Sequence, residues 1–190
     1  MREVVVLLLI LAVTSHAFSR AGLTSRLIRS SNRFVVCATA SADDTTGKRL
    51  YDTAYNGDAE VLKTLLAESK GNKNVLNWRS AARYGRTPLV IASYYGRLEA
   101  VKILLGTPGV DVNLGSDFGA TALHFAAHRG HFDVVKLLLA DRRTKVNVLA
   151  TGGKWTGKTA LDVLGLSGKG MTGNPEIVQA IKAKGGKSGK

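Results

Sequence analysis

Two groups of residues in this chain have the types and spacing to do chemistry. Gly152-Gly153-Lys154-Trp155-Thr156-Gly157-Lys158-Thr159 satisfies the phosphate-loop pattern GxxxxGK[ST]. In such a loop glycine-rich backbone amides cradle phosphate, the lysine reaches it and the hydroxyl meets Mg²⁺. A working phosphate loop also needs a Mg²⁺ ligand from a parallel sheet. Only 31 residues follow Thr159, and no strand ending in Asp is legible among them. His124, His128 and His131 form the second group, at a spacing that could suggest zinc. A closed zinc site needs a further ligand, and none is legible. No paired carboxylates and no Ser-His-Asp order point to catalysis. The single cysteine, Cys37, lies near the N-terminus, so the rest of the chain has no thiol for disulfides, thiolate chemistry or Cys-ligated zinc. The sequence therefore assigns no catalytic, cofactor-binding or metal-binding residue, and the expectation is a protein that is not an enzyme.

What positions these residues is a repeat. Gly85-Arg86-Thr87-Pro88-Leu89 recurs as Gly119-Ala120-Thr121-Ala122-Leu123, an offset of 34 residues. The same offset of 34 links Gly96 to Gly130, Val101 to Val135, Leu104-Leu105 to Leu138-Leu139, and Asn113 to Asn147. Similarity at that period signals stacked helical pairs, which present a surface to partners and hold no catalytic cavity by default.

Each repeated residue has a physical job. Thr87, Thr121 and Thr159 are N-caps that accept hydrogen bonds from free helical N–H groups. Pro88 follows its cap at the first helical position, where a missing N–H costs nothing. Gly57, Gly96 and Gly130 end the first helices, where a left-handed residue is needed. In the second helices Leu62, Leu65 and Leu66 match Val101, Leu104 and Leu105, then Val135, Leu138 and Leu139. That i, i+3, i+4 spacing is one buried helical face. In the last helix Val178 and Ile181 continue it, and Lys182 replaces the final Leu. A single unit cannot cover its own apolar side, so the units must stack.

The turn, cap and helix residues quoted above resemble the ankyrin repeat, a β-turn finger followed by two antiparallel helices. The resemblance implies an all-α solenoid of four units, at 48–77, 78–113, 114–147 and 148–185, followed by a basic tail, 186–190, that composition marks as disordered. The third unit is the closest match, with Thr121-Ala122-Leu123-His124-Phe125-Ala126-Ala127. The fourth departs most: the loop before it is longer by four residues and Asp162 replaces the motif His. Gly157 and Thr159 of the phosphate-loop pattern coincide with the repeated turn and cap. His124 stands where the family uses His for hydrogen bonds between turns.

In this family the finger tips and the exposed side of the first helices form a concave face. The resemblance places its variable positions at Arg83, Tyr84, Arg86, Tyr94 and Tyr95 in the second unit. In the third they are Asp117, Phe118, His128 and Arg129, and in the fourth Trp155, Thr156 and Lys158. Aromatic residues and Arg are the types enriched at protein interfaces. Exposed aromatics gathered on one face carry meaning, so Tyr84, Tyr95, Arg86 and Trp155 are expected to lead a binding face.

The N-terminus has a different character. Val4 to Val13 is an unbroken apolar run of ten residues, too short to span a bilayer as a helix and suited to a signal peptide over 1–17. From Phe18 to Ala42 there is no acid, while Arg20, Arg26, Arg29 and Arg33 lie among five Ser. That is transit-peptide composition over 18–41. The order resembles the bipartite presequence of algae with complex plastids, with His16-Ala17-Phe18 at the junction. It implies the plastid stroma; the alternative is plain secretion.

The chain carries a net charge of +13, and loss of residues 1–37, with five Arg and one Glu, would leave +9. Basic proteins bind acidic proteins, nucleic acid or anionic membranes. Here the charge is spread over loops, helix ends and the tail, with no RNA-reading aromatic motif. The expected function is an adaptor that binds another protein, an acidic one by charge, without a small-molecule substrate. RNA or anionic lipid binding through the basic surface is the alternative. Four repeats suffice for a stable monomer.

Overall fold

The computed structural model describes residues 24–30, 33–39, 42–166 and 175–189. The proposed signal peptide at 1–17 falls outside them. The chain divides into two units at Thr45. In the first, strands β1 (Thr24–Ser30) and β2 (Arg33–Thr39) pair antiparallel, from Thr24 opposite Thr39 to Ser30 opposite Arg33. They occupy the stretch whose composition is transit-peptide-like.

The part from Thr46 onward is helical, and its first helix begins just before that division. Helix α1 (Ala42–Asn56) starts upstream of the boundary expected at 48, with Asp43 and Asp44 in its first turn, where the helix dipole favours acids. It is followed by α2 (Ala59–Glu68) and a single turn, α3 (Lys73–Leu76). Then come α4 (Pro88–Tyr94) with α5 (Leu98–Gly106), and α6 (Ala122–Arg129) with α7 (Phe132–Ala140). The last pair is α8 (Ala160–Val163) with α9 (Pro175–Ala183). The first helices stack α4 on α6 on α8, and the second helices α2 on α5 on α7 on α9.

Caps and core sit as the repeats require. Thr87 Oγ1 accepts the Val90 N–H at 3.3 Å, with Pro88 in the first helical position. Leu62, Leu65, Val101, Leu104, Val135, Leu138 and Leu139 are buried, whereas Leu66 and Leu105, expected on the same face, are half-buried at its edge. In α9 the inward residues are Ile177 and Ile181, whereas Val178, the sequence choice, is half-buried. Fully burying one such side chain contributes about 1.5–3 kcal/mol, which is how helices as short as α4 and α6 persist.

Polar ladders tie successive repeats together. Asn77 donates to the Gly109 carbonyl at 2.9 Å and accepts the Asp111 N–H at 2.8 Å. Asn113 does the same with the Arg143 carbonyl and the Lys145 N–H, both at 2.7 Å. Asn147 repeats it with the Gly185 carbonyl at 3.0 Å and the Lys187 N–H at 2.7 Å. The tail expected to lack structure is therefore, through Gly189, the closing loop of the fourth unit. Its Gly189 N–H also donates to Asp162 Oδ2 at 2.7 Å.

Candidate functional site

Three fingers precede the first helices. In the second unit Ser80 and Arg86 pair as an antiparallel bridge around a turn at Tyr84 and Gly85, both left-handed with φ of 57° and 65°. A tyrosine there is strained backbone held by its neighbours, a condition that gathers at functional sites. In the third unit Ser116 donates to the Ala120 carbonyl. In the fourth, Ala150 donates to the Lys158 carbonyl, and the extra residues form a short turn, Gly153–Trp155. The fingers bond to one another at their tips. Asp117 N–H donates to the Tyr84 carbonyl at 2.9 Å, and Thr151 N–H to the Phe118 carbonyl at 2.8 Å. Tyr84 and Phe118 thus hold equivalent places, with rings 5.5 Å apart and exposures of 59% and 40%.

Behind the tips lies a cleft of about 360 Å³. The Arg86 guanidinium stands 4.8 Å from both the Tyr94 and the Phe125 ring centres. Arg129 sits 4.6 Å from the Tyr94 ring and Lys154 5.5 Å from the Trp155 ring. Phe125 and Trp155 lie 5.1 Å apart, and His128 packs edge-on to Trp155 at 4.8 Å. Burial, and then the nearby Lys154 charge, push the His128 imidazole below its usual range. The cleft exists because Arg86 has Ala120 as its counterpart one repeat later, and that small residue leaves the volume open.

Of the residues chosen from sequence, Tyr84, Arg86, Tyr94, Phe118, His128 and Trp155 line this cleft. Tyr95 lies beside it, its ring 4.6 Å from Tyr55 and 4.9 Å from Tyr94. Arg129 stacks on Tyr94 without lining the cleft. Arg83 and Lys158 do not line it either. Arg83 is exposed at the end of its turn, and the Lys158 carbonyl is taken by Ala150 N–H and His124. Asp117 pairs with Arg79 at 2.8 Å and Thr156 donates to Gly153 at 2.7 Å. Trp155 corrects the expectation of an exposed anchor. It is 6% exposed and belongs to the core, because the added finger residues fold it inward. Phe125, Ser116 and Lys154 were missed. Phe125 stands one repeat after the core residue Ile91, and nothing in its position marks it as a cleft wall.

The two chemistry-bearing groups take other roles. Gly152–Thr159 is a finger, and α8 behind it is four residues long. Its start is already occupied by a carboxylate, since Asp162 Oδ2 accepts the Thr159 N–H at 2.8 Å. His124 Nδ1 accepts the Thr121 N–H at 3.2 Å while Nε2 faces the Lys158 carbonyl at 3.2 Å. His131 Nε2 lies 3.1 Å from the Tyr94 carbonyl. Among the described residues no helix is long and apolar enough to cross a membrane.

A family model described as Ankyrin repeats (3 copies) matches the chain over residues 27–116, 50–150 and 101–188. No curated protein matches it closely enough to count as a relative.

Proposed function

The chain belongs to the ankyrin-repeat family, and on that premise we propose that it is an adaptor, binding another protein through its finger and first-helix face. Ankyrin repeats in general mediate protein–protein interaction and are binding modules rather than enzymes. The observation that carries the reading is the pair of exposed rings, Tyr84 and Phe118, held at the finger tips by backbone hydrogen bonds above an aromatic and cationic cleft. Packing of the repeats does not need those rings, and a rigid backbone beneath them means little conformational entropy is lost on docking. The basic surface favours an acidic partner by steering its approach. The presequence-like N-terminus supports the plastid stroma as the working compartment, and four stacked units support a monomer.

The test is to express the tagged full chain in an alga with a complex plastid, fractionate the cells and capture partners from the fraction that holds the tag. Two variants run beside it: Tyr84→Asn with Phe118→Ser, in which Asn tolerates the left-handed turn, and Lys102→Ala on a second helix. A plastid-borne tag and a protein partner kept by wild type and Lys102→Ala, but lost by the tip variant, is the expected outcome. Recovery of the tag in the medium removes the plastid assignment. Recovery of nucleic acid or lipid alone, or identical capture by the tip variant, removes the adaptor reading in favour of the basic surface.

A further inference from the structure

The cleft behind the finger tips lacks a counter-charge. Among the described residues Arg86, His128 and Lys154 line it, and no Asp or Glu does. Ion pairs among the described residues include Lys63 with Glu60, Arg79 with Asp117 and Arg143 with Asp141, and Arg86 is in none of these.

The sign of the missing ligand follows from which surfaces are already used. Aromatic clefts often take cations on their ring faces. Here the chain's own cations already stand over the rings behind the tips: Arg86 on Tyr94 and Phe125, Arg129 on Tyr94, Lys154 on Trp155. An incoming ammonium would meet like charge at each of these three rings. Three of the lining residues also carry buried hydrogen-bonding atoms without partners: Arg86 Nε, Ser116 Oγ and Trp155 Nε1. Ser116 and Trp155 are 5% and 6% exposed, so both side chains are closed to bulk solvent. A guanidinium Nε and an indole Nε1 can only donate, so the group they lack is an acceptor.

We propose that this cleft holds the carboxylate of an Asp or Glu side chain, carried on an extended segment of the partner protein, with Arg86 as its charged contact. The inference rests on the protein-binding reading above and names what that site recognises. A planar carboxylate matches the guanidinium fork and fits a slot with ring walls. A phosphate dianion is more strongly hydrated and loses more on entering an apolar-walled site. The volume of about 360 Å³ suits a side chain, with the backbone that bears it crossing over Tyr84 and Phe118.

The test uses the full chain as bait for a random octapeptide display library, with Arg86→Met as the paired bait. Met keeps an unbranched stem between the two rings and removes the charge, and circular dichroism checks its fold. Enriched peptides are resynthesised with Glu→Gln or Asp→Asn, which tests the charge even if the protein variant fails to fold. Wild type is expected to enrich an acidic residue at one position. Binding should fall by about tenfold or more on neutralising either partner, as for a lost charge-assisted contact. Enrichment without an acidic preference, or an acidic preference that Arg86→Met leaves unchanged, overturns this inference while the adaptor reading stands. Millimolar inorganic phosphate bound through Arg86, with no peptide enriched, reassigns the cleft to a free anion and overturns it too.

Discussion

His124 and Asp162 occupy the same place in successive units and solve one problem with opposite polarity. Each accepts its own cap's N–H, from Thr121 at 3.2 Å and from Thr159 at 2.8 Å. Each then reaches the next finger or loop. His124 offers Nε2 to the Lys158 carbonyl, whereas Asp162, which can only accept, takes the Gly189 N–H. Burial raises the Asp162 carboxyl, but hydrogen bonds from Thr159 and Gly189 outweigh it and leave the group below its ordinary range. Burial pushes His124 down, only partly offset by its carbonyl partners, so the folded state holds it neutral. The unfolded imidazole titrates near 6.5, so below that pH the unfolded chain binds more protons. Stability is therefore full above about pH 6.5 and falls as pH drops toward the depressed folded value, by at most about 1.4 kcal/mol per pH unit for this residue. Urea midpoints should fall between pH 7.5 and 5.5, and His124→Gln, less stable throughout, should show a shallower fall. An unchanged slope in the variant would mean that His124 is not held neutral.

At the scale of elements, short helices depend on the close approach of their neighbours. Gly96, at φ 67°, has the His131 ring 2.6 Å from where a Cβ would stand, so the turn glycine also admits the next unit's side chain. Gly47 inside α1 is the less expected case. A Cβ there would lie 2.4 Å from the Trp78 ring, which packs edge-on to Tyr51 at 5.7 Å. Helix propensity alone favours Gly47→Ala by about 1 kcal/mol. Overpacking costs about 1–3 kcal/mol, and the backbone of a helix cannot yield easily, so the packing term wins. Gly47→Ala is expected to lower the thermal midpoint and to change Trp78 fluorescence. A raised midpoint would show that Trp78 moves aside freely.

The helical stack from Thr46 onward is held in register by the Asn77, Asn113 and Asn147 ladders, and the third ladder ends on the tail. Thr159 Oγ1, between Asp162 Oδ2 at 2.8 Å and the Lys187 carbonyl at 2.9 Å, adds a further tie. Removing residues 185–190 takes away both partners of Asn147 and the Gly189 partner of Asp162 at the open end of the stack. Net hydrogen bonds contribute about 0.5–1.5 kcal/mol each, and these are partly exposed, so the loss should be about 2 kcal/mol. In a linear stack that loss stays near its origin. Amide exchange should quicken in α8 and α9 and hardly change in α4 and α5. Unaltered protection of α8 and α9 would show the tail to be passive.

The period, the caps at Thr87, Thr121 and Thr159, and the inward leucines were legible in the sequence because each is a local requirement: a helix start, a left-handed stop, a face at helical spacing. The same logic picked out Tyr84, Arg86 and Phe118 as positions the repeat does not need. Three features were decided only by tertiary structure. Trp155 turned inward because four added finger residues changed the direction of its side chain. The cleft arose from setting Arg86 beside Phe125 and Ala120, residues of different units that no local pattern brings together. The Gly-Lys tail, which composition reads as solvated, became ordered because its backbone answers the side chains of Asn147 and Asp162 from earlier in the chain. Spacing along the chain reports what one unit must do, and only stacking reports what one unit offers the next.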